Sequence, residues 1–307
     1  MTAPSTATEE HAFVFDSEFL RKLEQLELLA KKIFRGLLRG EHTTSRRGRG
    51  LEFSDFRRYR PGDDFRYIDW NIYSRLDRLV LKLYASEEDV TLHVLMDTSA
   101  SMRFGDPLKF DYARRLAAAL AYIGLNNLDR VSLTTFAHEL GASLPPLKAR
   151  HRMAAVLEFL AGLECGAPTR FRSSLKAFAS RTRRPGLVIL VSDLLSADES
   201  QEGETRAGLD ALRHRGHDVI VLHLLSEEEI EPPLDGALRL VDSEDGTELK
   251  VTVDSQLREV YRRRLRAHLD ELERYCLKAG IEYLRASTAI PFEDVLLRYL
   301  RQGSLLR

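Results

Sequence analysis

Asp97, Ser99 and Ser101 place one carboxylate and two hydroxyls at i, i+2 and i+4 in the run Leu92-His93-Val94-Leu95-Met96-Asp97-Thr98-Ser99-Ala100-Ser101-Met102. All three offer hard oxygen donors, the kind taken by Mg²⁺ and similar divalent cations. They follow an apolar stretch that reads as a buried strand, and open α/β sheets bind ligands beyond the carboxyl ends of their strands. Short Asp and Ser loops are also ordinary turn and N-cap chemistry, so these residues alone leave both readings open. Two later residues bear on the choice. Thr169 lies in the loop Gly166-Ala167-Pro168-Thr169 between two expected helices, where it could also cap the second. Asp193 ends the apolar strand Leu187–Ser192, again at a carboxyl strand edge or as an ordinary loop aspartate.

The elements that must hold these residues follow from periodicity. Strands are expected at Leu79–Tyr84, Val90–Met96, Val131–Phe136, Leu187–Ser192, Val219–Leu225 and Ile281–Leu284. Helices fill the gaps at Pro107–Asn127, Met153–Leu163, Ser173–Arg181, Thr205–Arg215, Ser255–Ala279 and Phe292–Arg301. The first of these has Asp106 as a natural cap and Pro107 in the first turn. Continuously apolar runs such as Leu187–Val191 suit parallel strands covered on both faces. The alternation predicts an α/β fold built on a doubly wound, mostly parallel, Rossmann-like sheet. Ala237–Val241 and Glu248–Val253, joined through Asp245-Gly246, read as a β-hairpin inserted near 237–253. Ahead of the sheet, residues 1–13 read as disordered. Residues 14–89 read as an N-terminal helical and extended segment, with a helix over Asp16–Arg39 capped by Asp16 or Ser17 and a basic loop at Arg46–Gly50. Residues 90–307 carry the main domain.

Bulk properties narrow the class. The 307 residues are 44% hydrophobic and 30% charged with a net charge of −1, so no global charge pulls the chain to nucleic acid or membrane. Cys165 and Cys276 are the only cysteines and form no C-x-x-C, which argues against a disulfide scaffold or a cysteine zinc site. The polar start and the lack of a long apolar run lead to the expectation of no signal peptide and a cytoplasmic protein.

Asp97, Ser99, Ser101, Thr169 and Asp193 together resemble the metal-ion-dependent adhesion site (MIDAS) of von Willebrand factor A-like domains. The resemblance implies that the serines and the threonine coordinate Mg²⁺, or another hard ion such as Mn²⁺. The aspartates then act mostly through water, and an open position accepts a carboxylate from a protein partner. Related domains commonly place glycine before the threonine, whereas here Pro168 precedes it and biases Ala167 toward extended backbone. A second resemblance lies upstream, at Gly48-Arg49-Gly50-Leu51-Glu52-Phe53 and Arg57-Arg58-Tyr59-Arg60-Pro61-Gly62-Asp63-Asp64-Phe65-Arg66-Tyr67-Ile68-Asp69-Trp70. This signature is similar to that of a bacterial family of unknown function which joins it to a von Willebrand A-like domain, typically encoded beside MoxR-type AAA+ ATPases. The resemblance implies a non-enzymatic, chaperone-like accessory of such an ATPase. Physically, the signature mixes arginines with Asp63, Asp64 and Asp69, as an internally paired segment or a docking surface would; Trp70 is expected in a core.

Other chemistries find less in the chain. No G-x-x-x-x-G-K-[ST] loop, G-x-S-x-G elbow or H-E-x-x-H motif occurs. A metal-dependent hydrolase of phosphodiesterase type could use Asp97 and Asp193 to hold its ion, with Asp106 or Asp129 as the available bases. The segment 31–60 carries ten Lys/Arg against three acids, with Phe53, Phe56 and Tyr59 interleaved, which is a possible nucleic-acid surface. Four acids return between Asp63 and Asp77 and favour internal pairing instead.

Overall fold

Three apolar runs that the sequence marks as strands lie side by side at the centre of the protein in a computed structural model. It describes residues 14–25, 52–85, 91–126, 130–166, 168–182, 184–195, 199–242 and 246–302. The expected disordered tail, the basic loop at Arg46–Gly50, Asp129 and the part of the first helix beyond residue 25 lie outside those residues. The chain divides into two units, Met1–Gly36 with Val90–Arg307, and Leu37–Asp89.

In the larger unit, β3 (Thr91–Asp97), β4 (Arg130–Phe136), β5 (Leu140–Lys148), β6 (Leu187–Ser192), β7 (Asp218–Leu225) and β10 (Glu282–Ser287) form one sheet in the order β10-β7-β6-β3-β4-β5. All neighbours are parallel except β4 and β5. The fold is therefore the expected α/β, doubly wound type. Its strand order reverses between β3 and β6, which sets the ligand crevice of such sheets at their carboxyl ends. β3, β6 and β7 are buried almost throughout, because helices cover both faces. The helix over Lys109–Asn126 is buried along nearly its whole length. Ala113, Ala117, Ala118, Ala119 and Ala121 let it lie close to the strands. The helical residues 17–25 belong to this unit: Asp16 caps them by accepting the Phe19 N–H at 2.7 Å, and Phe19 packs on Phe292 with ring centroids 5.2 Å apart.

One strand of the large sheet differs from the sequence expectation. β5 was not foreseen, because Pro145 and Pro146 argue against a strand; they are tolerated since β5 is the edge of the sheet and largely exposed. The inserted hairpin is present as β8 (Gly236–Val241) and β9 (Glu248–Val253), a separate two-stranded ribbon. None of the described helices is long and apolar enough to cross a membrane.

The smaller unit pairs β1 (Glu52–Arg58) with β2 (Val80–Ala85) antiparallel around a short helix, Trp70–Leu76. The signature acids serve locally. Asp63 accepts from Arg57 and from the Arg60 N–H, each at 2.8 Å, and Asp64 holds Arg66. Asp69 caps the short helix through the N–H groups of Asn71 and Ile72. Trp70, expected in a core, is instead 59% exposed and stacks edge-on with Tyr73. Its place on the first turn of a two-turn helix leaves one side of the ring to solvent.

At the amino end of the large sheet, Gly186 approaches β3 so closely that a Cβ there would fall 2.3 Å from the Thr91 carbonyl oxygen. Gly186→Ala should cost about 1–3 kcal/mol in urea unfolding through forced backbone movement. The exposed helical change Gly203→Ala, which meets nothing within 4 Å, should instead add roughly 0.5–1 kcal/mol. Beside Gly186, His93 bonds Ser132 Oγ at 2.7 Å, and burial, then His217, push its pKa down from 6.5 to about 4. A neutral imidazole is favoured in the folded state, so this contribution to stability is complete above pH 6.5 and is lost as pH falls toward about 4. Urea midpoints should fall across that window, and less steeply in His93→Gln.

Candidate cation site at the strand switch point

Asp97 closes β3 with its side chain fully buried. Its Oδ1 accepts the Ser99 N–H at 2.8 Å, which curls the chain into the following turn, and its Oδ2 accepts the Ser192 hydroxyl at 2.6 Å. The second bond spans the switch point from β6 to β3. Ser192 also accepts the Leu194 N–H at 3.0 Å, and Leu194 takes a left-handed φ of 46° despite its bulk. Strained backbone of this kind persists only where surrounding contacts impose it.

Ser99 opens the 3-10 turn Ala100–Arg103, yet its side chain makes no capping bond; Ser99 Oγ and Ser101 Oγ hydrogen-bond to each other at 2.9 Å. Ser99 thus stands at the N-cap position without using its hydroxyl to cap the turn. Thr169 does not cap the next helix either, since the N-cap of Phe171–Arg181 is Arg170. Its loop is tied on both sides of it. The Gly166 N–H donates to the Thr98 carbonyl and the Arg170 N–H to the Ala137 carbonyl, each at 3.0 Å. These ties bring Thr169 to the carboxyl ends of β3 and β4. All five residues singled out in the sequence thus lie at the same end of the sheet.

Asp193 follows β6 and is almost wholly buried, but it already faces a cation. Lys109 Nζ donates to Asp193 Oδ2 at 2.7 Å and also to Glu229, with no part of the lysine side chain exposed. Burial works against the lysine's charge, and the two carboxylates outweigh it, so its pKa is raised. Glu229 is itself fixed by a reciprocal capping box with Ser226. Lys109 begins its helix, the end where the helix dipole disfavours a cation. That misplacement was the one sequence signal for its role. Ser192 carried no signal beyond its position, last in an apolar strand.

The electrostatics are asymmetric. Lys109 compensates Asp193 and Glu229, whereas Asp97 bonds only to neutral donors. Burial, followed by the charge of Asp193, pushes the Asp97 pKa up from 3.8 to about 7. Asp97 is a buried carboxylate short of positive charge, with two mutually bonded hydroxyls beside it. Hard oxygens around a charge deficit fit a divalent cation of the Mg²⁺ type. Among the described residues no three His, Cys, Asp or Glu side chains gather as a group that could hold a metal ion. Asp106, a possible base for hydrolysis, is exposed on its loop.

The model of the family described as "Protein of unknown function DUF58" matches residues 55–271, and the chain belongs to that family. Uncharacterized proteins Mb1516 of Mycobacterium bovis and Rv1480 of Mycobacterium tuberculosis are each 26% identical over 299 residues, covering 94% of this chain and 92% of theirs. Among solved structures, BatB from Bacteroides thetaiotaomicron aligns with TM-score 0.44 and 17% identity over 69% of this chain and 97% of its own. The vWF domain of the pilus tip protein Mfa5 from Porphyromonas gingivalis aligns with TM-score 0.36 and 12% identity, over 71% and 97%.

Replacing Lys109 with Met should cost about 3–5 kcal/mol in urea unfolding, because it leaves Asp193 and Glu229 buried without a counter-charge. The double change Lys109→Met, Glu229→Gln should recover part of that loss. Equal stability of Lys109→Met and wild type would show that the pair carries no weight in the fold.

Proposed function

We propose that this protein is a non-enzymatic binding module that captures an acidic side chain of a partner protein through a hard divalent cation, Mg²⁺ or Mn²⁺. The observation that carries the proposal is the Ser99–Ser101 hydroxyl pair beside Asp97, the buried carboxylate whose bonded donors are all neutral. Ser99, Ser101 and Thr169 would contribute hydroxyl oxygens. Asp97 orients Ser99 through its backbone N–H, and Ser192 holds Asp97 in turn. Asp193 would contribute from the Lys109 side. A bound divalent cation would supply an electrophilic position open to an incoming carboxylate.

Chemistry on a substrate would need an activated nucleophile. The Ser99 and Ser101 hydroxyls bond to each other, and among the described residues no imidazole bonds to either of them. Membership of the family, together with the signature over 57–70, supports reading the chain as an accessory of a MoxR-type AAA+ ATPase that assembles or remodels other proteins.

Titration calorimetry with Mg²⁺ tests the site. Asp97→Ala should keep the far-UV circular dichroism of the wild type and lose Mg²⁺ affinity by about 10- to 100-fold or more. Unchanged Mg²⁺ affinity in that variant sinks the assignment. A pull-down with and without EDTA then tests the partner: capture should require the divalent ion and should bring down an AAA+ ATPase.

A further inference from the structure

We propose that the rim of this site is polarised to take an acidic protein segment that also carries a large apolar side chain beside its acids. The inference rests on the cation reading above and specifies its partner. The loop from Ser101 to Lys109 is held from beneath at three points. Met102 and Lys109 are fully buried. Between them Gly105, at φ 96°, lies so near the turn after β7 that a Cβ would fall 2.5 Å from Ser226 Cβ. The Phe104 carbonyl accepts the Lys109 N–H at 3.1 Å. Against that fixed frame the loop turns outward Arg103, Phe104 at 50% exposure and Leu108 at 43%. Large apolar side chains on a pre-ordered loop lose little entropy on binding and serve well as interface anchors.

On the side of the Thr169 loop, exposed arginines outnumber the neighbouring exposed acid Glu164. The Arg103 guanidinium carbon lies 3.4 Å from where a Cβ on Gly166 would stand, over the loop that delivers Thr169. Arg170 and Arg172 are exposed just beyond it. The Arg103 guanidinium also hydrogen-bonds the Cys165 side chain, which holds it over that loop. On the β7 side the exposed Asp106 and Glu227 repel anions. An incoming segment that places one carboxylate at the cation site therefore lays its further acids toward Arg103 and Arg170, and its apolar side chain on Phe104 and Leu108. A nucleic-acid backbone fits less well, because it would meet the two acids and gain nothing from the apolar pair.

The test uses the full-length protein with a random copolymer of glutamate and tyrosine as probe, beside poly-L-glutamate and single-stranded oligothymidylate. In Mg²⁺ the copolymer should bind more tightly than poly-L-glutamate. Arg103→Glu and Phe104→Ser should each weaken it by about tenfold while binding Mg²⁺ no less tightly than wild type. Absence of copolymer binding by wild type, wild-type binding by both variants, or tighter binding of the oligothymidylate would each overturn the proposal. Arg103-sensitive copolymer binding in a wild type that takes up no Mg²⁺ would retain the surface and reject the cation reading. Normal Mg²⁺ uptake with copolymer binding indifferent to both substitutions would do the reverse.

Discussion

Two buried carboxylates at neighbouring strand ends, with one lysine between them and the rest of the chain, set the terms for this structure. Asp97 and Asp193 must stand in the crevice where the strand order reverses, since β3 and β6 are adjacent and both end there. A buried charge is tolerated only when paired or supplied with hydrogen bonds. The fold meets that demand unequally: Lys109 neutralises Asp193 from the start of a helix, and Asp97 is met by the neutral donors of Ser99 and Ser192. The alanine-lined helix behind β3, the capping box at Ser226 and the left-handed Leu194 are all arrangements that hold this charge distribution in place.

Most of the scaffold was legible in the sequence because it rests on periodicity. β6 begins and ends where its apolar run does, and the helix over Ser255–Ala279 begins and ends at the residues that pattern and capping predict. β5 escaped because an edge strand tolerates the prolines that a central strand excludes. β1 escaped because its charged sequence shows no apolar alternation. Trp70 was misjudged by composition, since a lone tryptophan is ordinarily core and a short helix in a small unit has little interior to offer.

The candidate site was legible to a different degree. Asp97, Ser99 and Ser101 announce themselves by local spacing, and Asp193 by its place after a strand. Thr169 comes to the same sheet end through backbone bonds to Thr98 and Ala137, which no side-chain pattern encodes. Lys109 was invisible for a related reason: its carboxylate partners lie 84 and 120 residues away. Pairings at such separation are set by topology, and only the cost of a cation at a helix start hinted that something must offset it.

Lys109 also decides what the site can be. An open pair of aspartates at a strand switch point could hold a divalent ion with two direct negative ligands, which would satisfy most of its charge. With Asp193 Oδ2 committed to the ammonium and Asp97 to Ser192 and the Ser99 amide, the donors left closest to hand are neutral hydroxyls. A hard cation held mainly by neutral oxygens keeps its appetite for an anion from outside. Under the proposed reading, the same lysine that stabilises the crevice would bias it toward recruiting a carboxylate from outside. Because Glu229 anchors the ammonium to the turn after β7, that bias is built from three strand ends at once rather than from the Asp97 loop alone.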